Sequence, residues 1–540
     1  MRRWQRSGSG WRWTTVGVVC LGLFLLGVDA TALNLAVPGL QRGLGASMAQ
    51  TQWVVDGYAL VLGGTVLAAG AVTDRLGRRR CFLAGLAVCG GASLVGALSR
   101  EPVQAVVARC GMGAGAALFT PAALAVVSNA FAEARLRRRA IGLWAATGGL
   151  GATAGPIVGG WLVERFSLRA GFWVNVPVTA LVVLLAAVLV AEHRDPRPPR
   201  VDVPGVLLSA SGLFCAVWAL IETPARGWSG GLVPAAYAGG AVLLTAFVVW
   251  ESRCAEPMLP PSLVRHGRVG AGVAALSLVS FAVLGAVFVL TLYLQGVLGC
   301  SPLQAGLRVL PMPVALSAGA AAAVPVLARF GERAPVVAGL LVVTAAFAVL
   351  SGARAGSGYG RVLVFEAVAG FGAGMVATSA TDLVMGAVPA HRAGLGSAVN
   401  DATRQVGAAM GVAVQGSVLA MVYSPRVDAL LAGVPLPPRA GPRHSPVSVA
   451  AFDGLAPATR GLVAQAVRTA FVDGLVRAAL VAGAVCLCAA ALVWHRLSPD
   501  GERGRERGPE PGADPSAGRR PAGARDGARV GEGAGSGSPG

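Results

Sequence analysis

Two residues of opposite charge lie inside apolar stretches of this sequence. Asp29 precedes the end of the first stretch by about nine residues, and Arg109 follows the start of the fourth by about seven. At 1.5 Å per helical residue, both lie roughly 10 to 14 Å below the same surface of a membrane. A charge within hydrocarbon costs at least ~2.5 to 3.5 kcal/mol, which makes each a functional candidate. We therefore predict that Asp29 binds protons and cations and that Arg109 tunes it. A fixed structural ion pair is the alternative.

A second charged pair, Asp401 and Arg404, falls in the thirteenth apolar stretch. The two residues are three positions apart on a helix, so they are candidates for coupling, or they simply neutralise each other. Other charges lie near the ends of apolar stretches, where interfacial water is within reach and a structural role is expected. These are Asp56, Glu222, Glu366, Asp382, Asp473 and Arg477.

A turn rich in arginine joins the second and third stretches and contains Asp74, Arg75, Gly77 and Arg78. Gly77 permits a tight turn and a close approach of helices. Asp74 can hold a neighbouring helix through a charged hydrogen bond that breaks when the helices move. We predict that this turn controls the balance between two conformations. The alternative is that its charges only set the topology.

The fifth stretch carries small residues at helical spacing, with Gly151, Gly155 and Gly159 four residues apart and Pro156 among them. Small side chains let helix backbones touch, and proline bends a helix while freeing a carbonyl group. We predict a hinge that seals the outer side of the molecule. Static packing of small residues is the alternative.

The elements that position these residues are predicted to be membrane-spanning helices. Of the 540 residues 54% are hydrophobic and 13% are charged, and the mean hydropathy is +0.64. A soluble domain averages about 25% charged residues, so this is an all-α integral membrane protein. Short alternating strands, as in a membrane β-barrel, are not evident. Fourteen spans are predicted, at 14–37, 53–72, 81–99, 103–128, 141–163, 172–192, 204–222, 232–250, 269–294, 303–327, 335–353, 362–387, 393–423 and 469–494.

Arginine is concentrated in the segments on the side of the N-terminus, which predicts that both termini are cytoplasmic. Two patterns recur: Gly111, Gly113 and Gly115 match Gly370, Gly372 and Gly374, and the turn at Gly77 matches that at Gly331. Both offsets relate span n to span n+8, so we predict two parallel six-helix halves around an inserted pair. The predicted segments are a cytoplasmic N-terminus 1–13, a first half 14–192, inserted helices 193–268, a second half 269–494 with an external loop 424–468, and a disordered cytoplasmic tail 495–540.

Several function classes conflict with the composition. All 45 basic residues are arginine, so a P-loop lysine and a Schiff-base lysine are both missing. The nine cysteines and five histidines are scattered, without the spacing of a disulfide framework or a metal site. No cofactor, no metal and no nucleic-acid partner is therefore expected. The surplus of arginine is explained by topology.

The turn from Gly70 to Arg80 resembles the signature loop of the major facilitator superfamily, and Gly148 to Gly160 resembles its antiporter motif. Together with 29–38, 52–58 and 173–177, these motifs look like the fourteen-span drug/proton antiporters of that superfamily, the EmrB/QacA type. The resemblance implies proton-driven efflux of hydrophobic or cationic drugs across the cytoplasmic membrane by a monomer that is not an enzyme. Ala328 stands where the repeat of Asp74 would be, so the second turn lacks that contact.

Two other readings remain open. A proton-coupled importer of a small nutrient would share the two halves and the embedded carboxylates. A polytopic membrane enzyme or receptor would need a catalytic cluster or a folded sensory domain, and neither is evident in the sequence.

Overall fold

A computed structural model describes residues 9–131, 133–167, 169–192, 201–254, 257–258, 267–387, 393–432 and 457–497. Within these residues fourteen helices are long and apolar enough to cross a membrane, which confirms the predicted all-α membrane fold. We call the face where the first helix ends the distal face and the opposite one the proximal face. Because consecutive helices alternate in direction, even-numbered helices begin at the distal face.

The first eight helices are α1 Ser9–Leu44, α2 Met48–Leu76, α3 Arg78–Ala97, α4 Pro102–Ala130, α5 Ala134–Arg165, α6 Ala170–Leu189, α7 Val203–Arg226 and α8 Leu232–Arg253. The remaining six are α9 Gly267–Leu292 with a π-helical turn Tyr293–Val297, α10 in two segments (α10a Pro302–Arg308 and α10b Pro311–Phe330), α11 Arg333–Ser351, α12 Tyr359–Ala387, α13 Ala393–Leu430 and α14 Pro457–Arg496.

The helices extend further than the apolar stretches do. The bounds of the predicted loop 424–468 differ in the structure, because α13 continues to Leu430 and α14 already begins at Pro457. Hydropathy marks only the most apolar part of a helix, so helical turns with polar residues at its ends escape it. The rest of that loop, the start of the N-terminal segment and the tail from 498 lie outside the described residues.

Helix packing follows one scheme twice. In the first six helices, α1 packs on α4, α5 and α6, while α3 packs on α4 and α6 and α2 packs on α4. The same contacts recur eight helices later, with α9 on α12, α13 and α14, α11 on α12 and α14, and α10 on α12. Helix α7 packs on α2 and α13 and carries α8 on its other side. The groups α1–α6 and α9–α14 therefore share an arrangement, and α7 touches both.

The register of this repeat can be read from close backbone contacts. Gly113 of α4 lies against the carbonyl group of Tyr58 on α2. Gly370 of α12 lies in the same way against the carbonyl group of Met312 on α10. These two glycines therefore occupy corresponding positions, with an offset of 257 (370 minus 113).

A second contact gives the same offset. Gly115 packs on Gly85 of α3, and Gly372 packs on Gly339 of α11. The pairing of Gly111 with Gly370 that spacing suggested is therefore wrong by two residues. Each helix has three glycines at every second position, so the two sets can be aligned in more than one register. Only the residues that the glycines contact on other helices show which register is correct.

Helix α10 is interrupted between Arg308 and Pro311. Pro311 and Pro313 lack the backbone N–H groups that a continuous helix needs at these positions. Tyr359, the first residue of α12, donates its hydroxyl to the carbonyl oxygen of Arg308 at 2.7 Å. The break therefore lies against the distal end of α12.

Candidate functional site

The predicted pair in the first half is an ion pair in the structure. Arg109 donates Nη1 to Oδ2 of Asp29 at 2.7 Å, and both side chains are buried. Pro102 occupies the first turn of α4 beside a capping box at Glu101, which fixes where the helix begins. Arg109 thus lies two turns below the distal face, about 10 Å deep at the helical rise. The ion pair shows that Asp29 lies level with Arg109, although α1 continues beyond the predicted span end at residue 37 to Leu44.

Neighbouring groups satisfy the rest of the pair. Asn175 of α6 donates Nδ2 to the second carboxylate oxygen of Asp29 at 2.7 Å and to Ser93 at 3.2 Å. Arg109 donates Nε to the carbonyl oxygen of Val54 at 3.1 Å, and its guanidinium lies 4.4 Å from the centroid of the Tyr58 ring. A buried ion pair is stable when its remaining hydrogen bonds are made. Four helices, α1, α2, α4 and α6, therefore meet at this one charge pair.

A small pocket between α1, α5 and α6 lies beside this pair. Asp29 and Asn175 form its polar part, and its apolar part includes Ala32, Leu33 and Leu162. Gly159, one of the predicted hinge glycines, is also in its lining. Asp29 therefore lines a small cavity as well as pairing with Arg109.

The second predicted pair is also formed. Arg404 donates Nη2 to Asp401 at 2.9 Å, and their side chains are 51% and 24% exposed. Both residues lie well inside α13, where a charged side chain that faces lipid is costly and rare. The partial exposure of the pair therefore favours a position at a space between helices that water can enter. The pair is much less buried than Asp29 and Arg109 and does not contact Asp29.

Asp56 departs from its expected place near the end of a span. A capping box between Ser47 and Gln50 starts α2 at Met48, so Asp56 lies eight residues inside the helix. It is 0% exposed, and no described residue donates a hydrogen bond to either carboxylate oxygen. The prediction that Asp56 lies near the end of a span is wrong, because hydropathy located the start of the span at residue 53 whereas α2 begins at Met48.

The surroundings of Asp56 join three parts of the molecule. One turn before it, Gln52 donates to the carbonyl oxygens of Val412 and Ala413 on α13, at 3.2 and 3.3 Å. Trp53 and Leu60 pack in one apolar cluster with residues of α7 and α13. Asp56 therefore lies near the contact between the first group of helices, the second group and α7.

Glu366 makes the same departure in the second group. It is 0% exposed, seven residues inside α12, and no described residue bonds to its carboxylate oxygens. The predicted span began at 362, which made Glu366 look like an end residue. Asp56 and Glu366 are the two fully buried carboxylates without a partner in the described residues, and the predicted sites included neither.

The proximal turn is held by two acids, of which the sequence predicted one. Asp74 accepts a hydrogen bond from Arg78, four residues on, at 3.2 Å. A second carboxylate reaches this turn from the segment just after α6 and belongs to Glu192, which accepts from the backbone N–H of Arg79 at 3.2 Å. Asp74, near the end of α2, thus bonds to the first residue of the next helix, α3. Its predicted role in the balance between two conformations stays a prediction.

Gly77 explains why the turn and Glu192 fit together. Its φ angle is 111°, a region that side chains with a Cβ avoid, and a Cβ there would collide with the carboxylate of Glu192. Gly331, at the corresponding turn before α11, also has a positive φ of 74°. Arg75 is exposed at the end of α2.

The glycines of α5 pack against α1. Gly151 lies against the carbonyl group of Phe24, Gly155 against Thr31, and Gly159 against Ala32. Pro156 has no N–H, so the carbonyl oxygen of residue 152 is left without its helical partner. Thr31 donates its hydroxyl to that oxygen at 2.9 Å. This face of α5 therefore joins two helices within the first group.

A different face of α5 meets the second group at the distal side. Gly306 of α10a lies directly against the carbonyl group of Pro156, and Gly160 lies against the backbone of residues 302 and 303. Glu164 accepts hydrogen bonds from Ser301 at 2.7 Å and from the N–H of Leu303 at 3.1 Å. The two groups are therefore in close contact at the distal face. The sequence named Pro156 but missed Gly160, Glu164 and Gly306.

No group of three or more His, Cys, Asp or Glu side chains in the described part of the chain could hold a metal ion. The site therefore consists of one satisfied ion pair, two buried acids, one exposed pair and a contact between the two groups of helices.

Comparison with known proteins gives a consistent result. A family model described as "Major Facilitator Superfamily" matches residues 19–412. The chain is 35% identical to the "Tetracenomycin C resistance and export protein" of Streptomyces glaucescens, over 92% of this chain and 93% of that protein. It is 32% identical to the "Multidrug efflux pump LfrA" of Mycolicibacterium smegmatis, over 89% and 95%. It is 35% identical to the "Puromycin resistance protein pur8" of Streptomyces alboniger, over 75% and 82%.

Solved structures share the fold at low identity. A bacterial homologue of the human lysosomal transporter Spinster, in an inward-facing and occupied conformation, matches with a TM-score of 0.64 at 15% identity, over 91% of this chain and 100% of that one. The human organic anion transporter MFSD10 matches with a TM-score of 0.54 at 18% identity, over 89% and 99%.

Proposed function

Because this chain belongs to the Major Facilitator Superfamily, a family of membrane transporters, we propose that it exports small hydrophobic or cationic antibiotic-like molecules across the cell membrane in exchange for protons. The relatives named for antibiotic resistance, export or multidrug efflux support the substrate class and the direction. We expect a monomer that needs no cofactor, binds no nucleic acid and catalyses no covalent chemistry.

The buried pair of Asp29 and Arg109 is the observation that carries proton coupling. In the charged state both carboxylate oxygens of Asp29 accept hydrogen bonds, and Asp29 also lines a small pocket. A proton that binds Asp29 removes the counter-charge of Arg109, so it changes the electrostatic balance between α1 and α4. Such a change biases one conformation over another, which is how ion binding drives a transporter.

The contacts of α5 with α10a supply the second half of the mechanism. In this conformation the distal side is closed by backbone contact at Gly160 and Gly306, while Asp401 and Arg404 face an accessible space. Arginine-rich turns lie at the proximal face, so we propose that this face and both termini are cytoplasmic. The described conformation then receives substrate from the cytoplasm, and separation at α5 and α10a releases it outside.

The driving force is sufficient. One proton that crosses a membrane at 100 mV yields about 2.3 kcal/mol, before any pH gradient is added. Since about 1.4 kcal/mol corresponds to a tenfold ratio, one or two protons support accumulation of an uncharged substrate well beyond tenfold. A monovalent cation needs either a second proton or a pH gradient, because exchange for one proton moves no net charge.

Everted membrane vesicles from a host without its own exporters test this proposal. With tetracenomycin C and puromycin as probes, we expect ATP-independent uptake into vesicles that ceases when an uncoupler collapses the proton gradient. Each addition of substrate should also release protons from the vesicle lumen. The variant Asp29→Asn should insert normally and bind the probes but lose proton release.

The possible outcomes distinguish proton-coupled export from import and from export without proton coupling. Uptake into right-side-out vesicles, with none into everted ones, would make the protein an importer. Uptake that persists with the uncoupler would leave export without proton coupling. Proton release by Asp29→Asn equal to that of the unsubstituted protein would remove Asp29 from the mechanism.

A further inference from the structure

The repeat register relates Glu366 to a residue of the known charge pair. The contacts of Gly113 and Gly370 set the offset between α4 and α12 at 257 residues. With this offset, Arg109 of α4 corresponds to Glu366 of α12. The second group of helices therefore has an acid at the position where the first group has the base.

The partner of Arg109 has no counterpart in the second group. Asp29 follows Gly27 by two residues, and Gly27 packs on α5 as Gly285 packs on α13. Two residues after Gly285 is Val287, and both of its neighbours along the chain are apolar. An ion pair in one half thus corresponds to a single acid in the other.

Two contacts define what Glu366 faces. At the distal end of α12, Tyr359 bonds to the carbonyl oxygen of Arg308, and further along the helix Gly370 lies against Met312. Because α10 and α12 run in the same direction, Glu366, which precedes Gly370 by one helical turn, lies level with the break in α10. Broken membrane helices are common at the ion and substrate sites of transporters, where the unwound backbone offers polar groups.

The charged groups around Glu366 are few. Arg308 lies with its guanidinium 5.2 Å from the ring centroid of Tyr359 and donates to Cys300 at 2.6 Å. On the helices that pack against α12, the other described ionisable side chains lie toward helix ends or in the exposed pair of α13. These are Arg268 and Tyr293 on α9, Arg329 on α10, Arg333 and the preceding Glu332 at α11, and Tyr423, Arg426, Asp428, Asp401 and Arg404 on α13; α12 itself also carries Arg361 and Asp382. No described group bonds to the carboxylate of Glu366.

We propose that Glu366, facing the break in α10, is a second proton-binding carboxyl group of this transporter and that it acts in the second half as the Asp29 and Arg109 pair acts in the first. A carboxylate without a partner is costly inside a membrane protein, whereas a protonated carboxyl group can donate to the carbonyl oxygens of a helix break. When the backbone at the break rearranges between conformations, these carbonyl oxygens move, and the affinity of Glu366 for a proton changes. This inference rests on the proposed antiport, and each can fail without the other.

Infrared titration of the purified full-length protein in lipid nanodiscs tests the proton site without any substrate. We expect a carboxylic C=O stretching band, absent from Glu366→Gln, whose intensity falls as the pH is raised. The band should shift when the unsubstituted protein is labelled with ¹³C-carboxyl glutamate, a measurement that does not depend on the folding of the variant. Asp473→Asn, at an exposed pair with Arg426, is the matched control and should retain the band.

Proteoliposomes test the role in transport. With the membrane potential held at zero, puromycin uptake driven by a pH gradient should fall at least tenfold in Glu366→Gln and recover in part in Glu366→Asp. A titrating glutamate band absent from Glu366→Gln, together with this loss, supports the proposal. The absence of such a band, or gradient-driven uptake equal to that of the Asp473→Asn control, overturns it. If the unsubstituted protein shows no gradient-driven uptake, proton antiport itself fails, while the infrared band still decides whether Glu366 binds a proton.

Discussion

At the scale of single residues, the four embedded acids differ in what surrounds them. Asp29 has a cation and an amide, Asp401 has an arginine and access to water, and Asp56 and Glu366 have no described partner. A carboxylate whose charge is matched is stabilised in the charged form, whereas an unmatched one gains from protonation. Residues of one chemical type therefore fall into different classes once their neighbours are known.

The first prediction concerns the coupling within the buried pair. Arg109→Leu leaves the carboxylate of Asp29 buried beside an apolar side chain, so we expect a loss of about 3 to 5 kcal/mol of stability. Asp29→Asn should cost less, and the double variant should be more stable than Arg109→Leu alone. Unfolding in detergent, followed by fluorescence for all four proteins, gives the coupling energy. Additive losses would show that the two charges do not stabilise each other.

At the scale of elements, α5 uses two faces for two tasks. Gly151, Gly155 and Gly159 fix it to α1, and Pro156 and Gly160 bring it against α10a. One face of the segment that resembles the antiporter motif thus packs statically within the first group, as the alternative hypothesis stated. The other face contacts the second group at the distal side, where the hinge that was predicted for this segment would act. The two faces differ by about one residue along the helix, which corresponds to a rotation of 100°.

Substitutions on the two faces should have different effects. Gly160→Leu should oppose the closed distal side, since forcing extra side-chain volume into a packed contact costs about 1 to 3 kcal/mol. Gly155→Leu should instead lower thermal stability, because it separates α1 from α5 within one half. Gly149→Leu, at a position with open space, is the matched control. The readout is the modification rate of Ser301→Cys by an impermeant maleimide in a cysteine-free protein, together with the melting temperature. Equal modification rates for the Gly160 and Gly149 variants would contradict the assignment.

The proximal turn gives a third prediction. Glu192→Gln removes the charge that holds the turn between α2 and α3, whereas Asp74→Asn affects a local, partly exposed pair worth at most about 1 kcal/mol. We expect the Glu192 variant to lose more thermal stability in this conformation. If Asp74→Asn changes the transport rate without changing stability, Asp74 acts in a conformation other than the one described. Purified variants and proteoliposome flux provide the two measurements.

At the scale of the whole molecule, the two groups of helices touch where α5 meets α10a and where α2 meets α13. Gln295 of α9 also donates to the carbonyl oxygen of Leu35 on α1 at 3.0 Å. Helix α7 packs across the contact of α2 with α13, and Ser417 of α13 donates to the carbonyl oxygen of Leu220 at 2.7 Å. Through α7, the inserted pair of helices therefore lies at the contact between the two groups.

A cross-link across the distal face tests whether the groups separate there. In a cysteine-free protein, Glu164→Cys with Ser301→Cys should be joined by a short bifunctional methanethiosulfonate reagent, because the native side chains touch and the reagent replaces the length that cysteine lacks. Cross-linking should stop transport, and a reductant that cleaves the cross-link should restore it. The pair Arg268→Cys with Glu332→Cys, at an ion pair within the second group, is the control and should not stop transport when it is cross-linked. Undiminished flux through the cross-linked Glu164 and Ser301 protein would show that this contact stays closed during turnover.

The sequence by itself determined the number and class of the spans and the common depth predicted for Asp29 and Arg109. Hydropathy is a local property of about twenty residues, and helical rise converts a position into a depth, so neither needs tertiary information. The same reasoning misplaced Asp56 and Glu366, because helices continue beyond the apolar segment and their true ends depend on caps and packing.

The tertiary structure decided which side chains meet and in which register the halves correspond. Glycines at every second position fit several registers, and only the helix that each one touches selects the offset of 257. Glu192 is far in sequence from the turn between α2 and α3, so only the tertiary structure shows that it bonds there. Contacts between distant segments depend on how helices pack against one another, and no local pattern of residues contains that information.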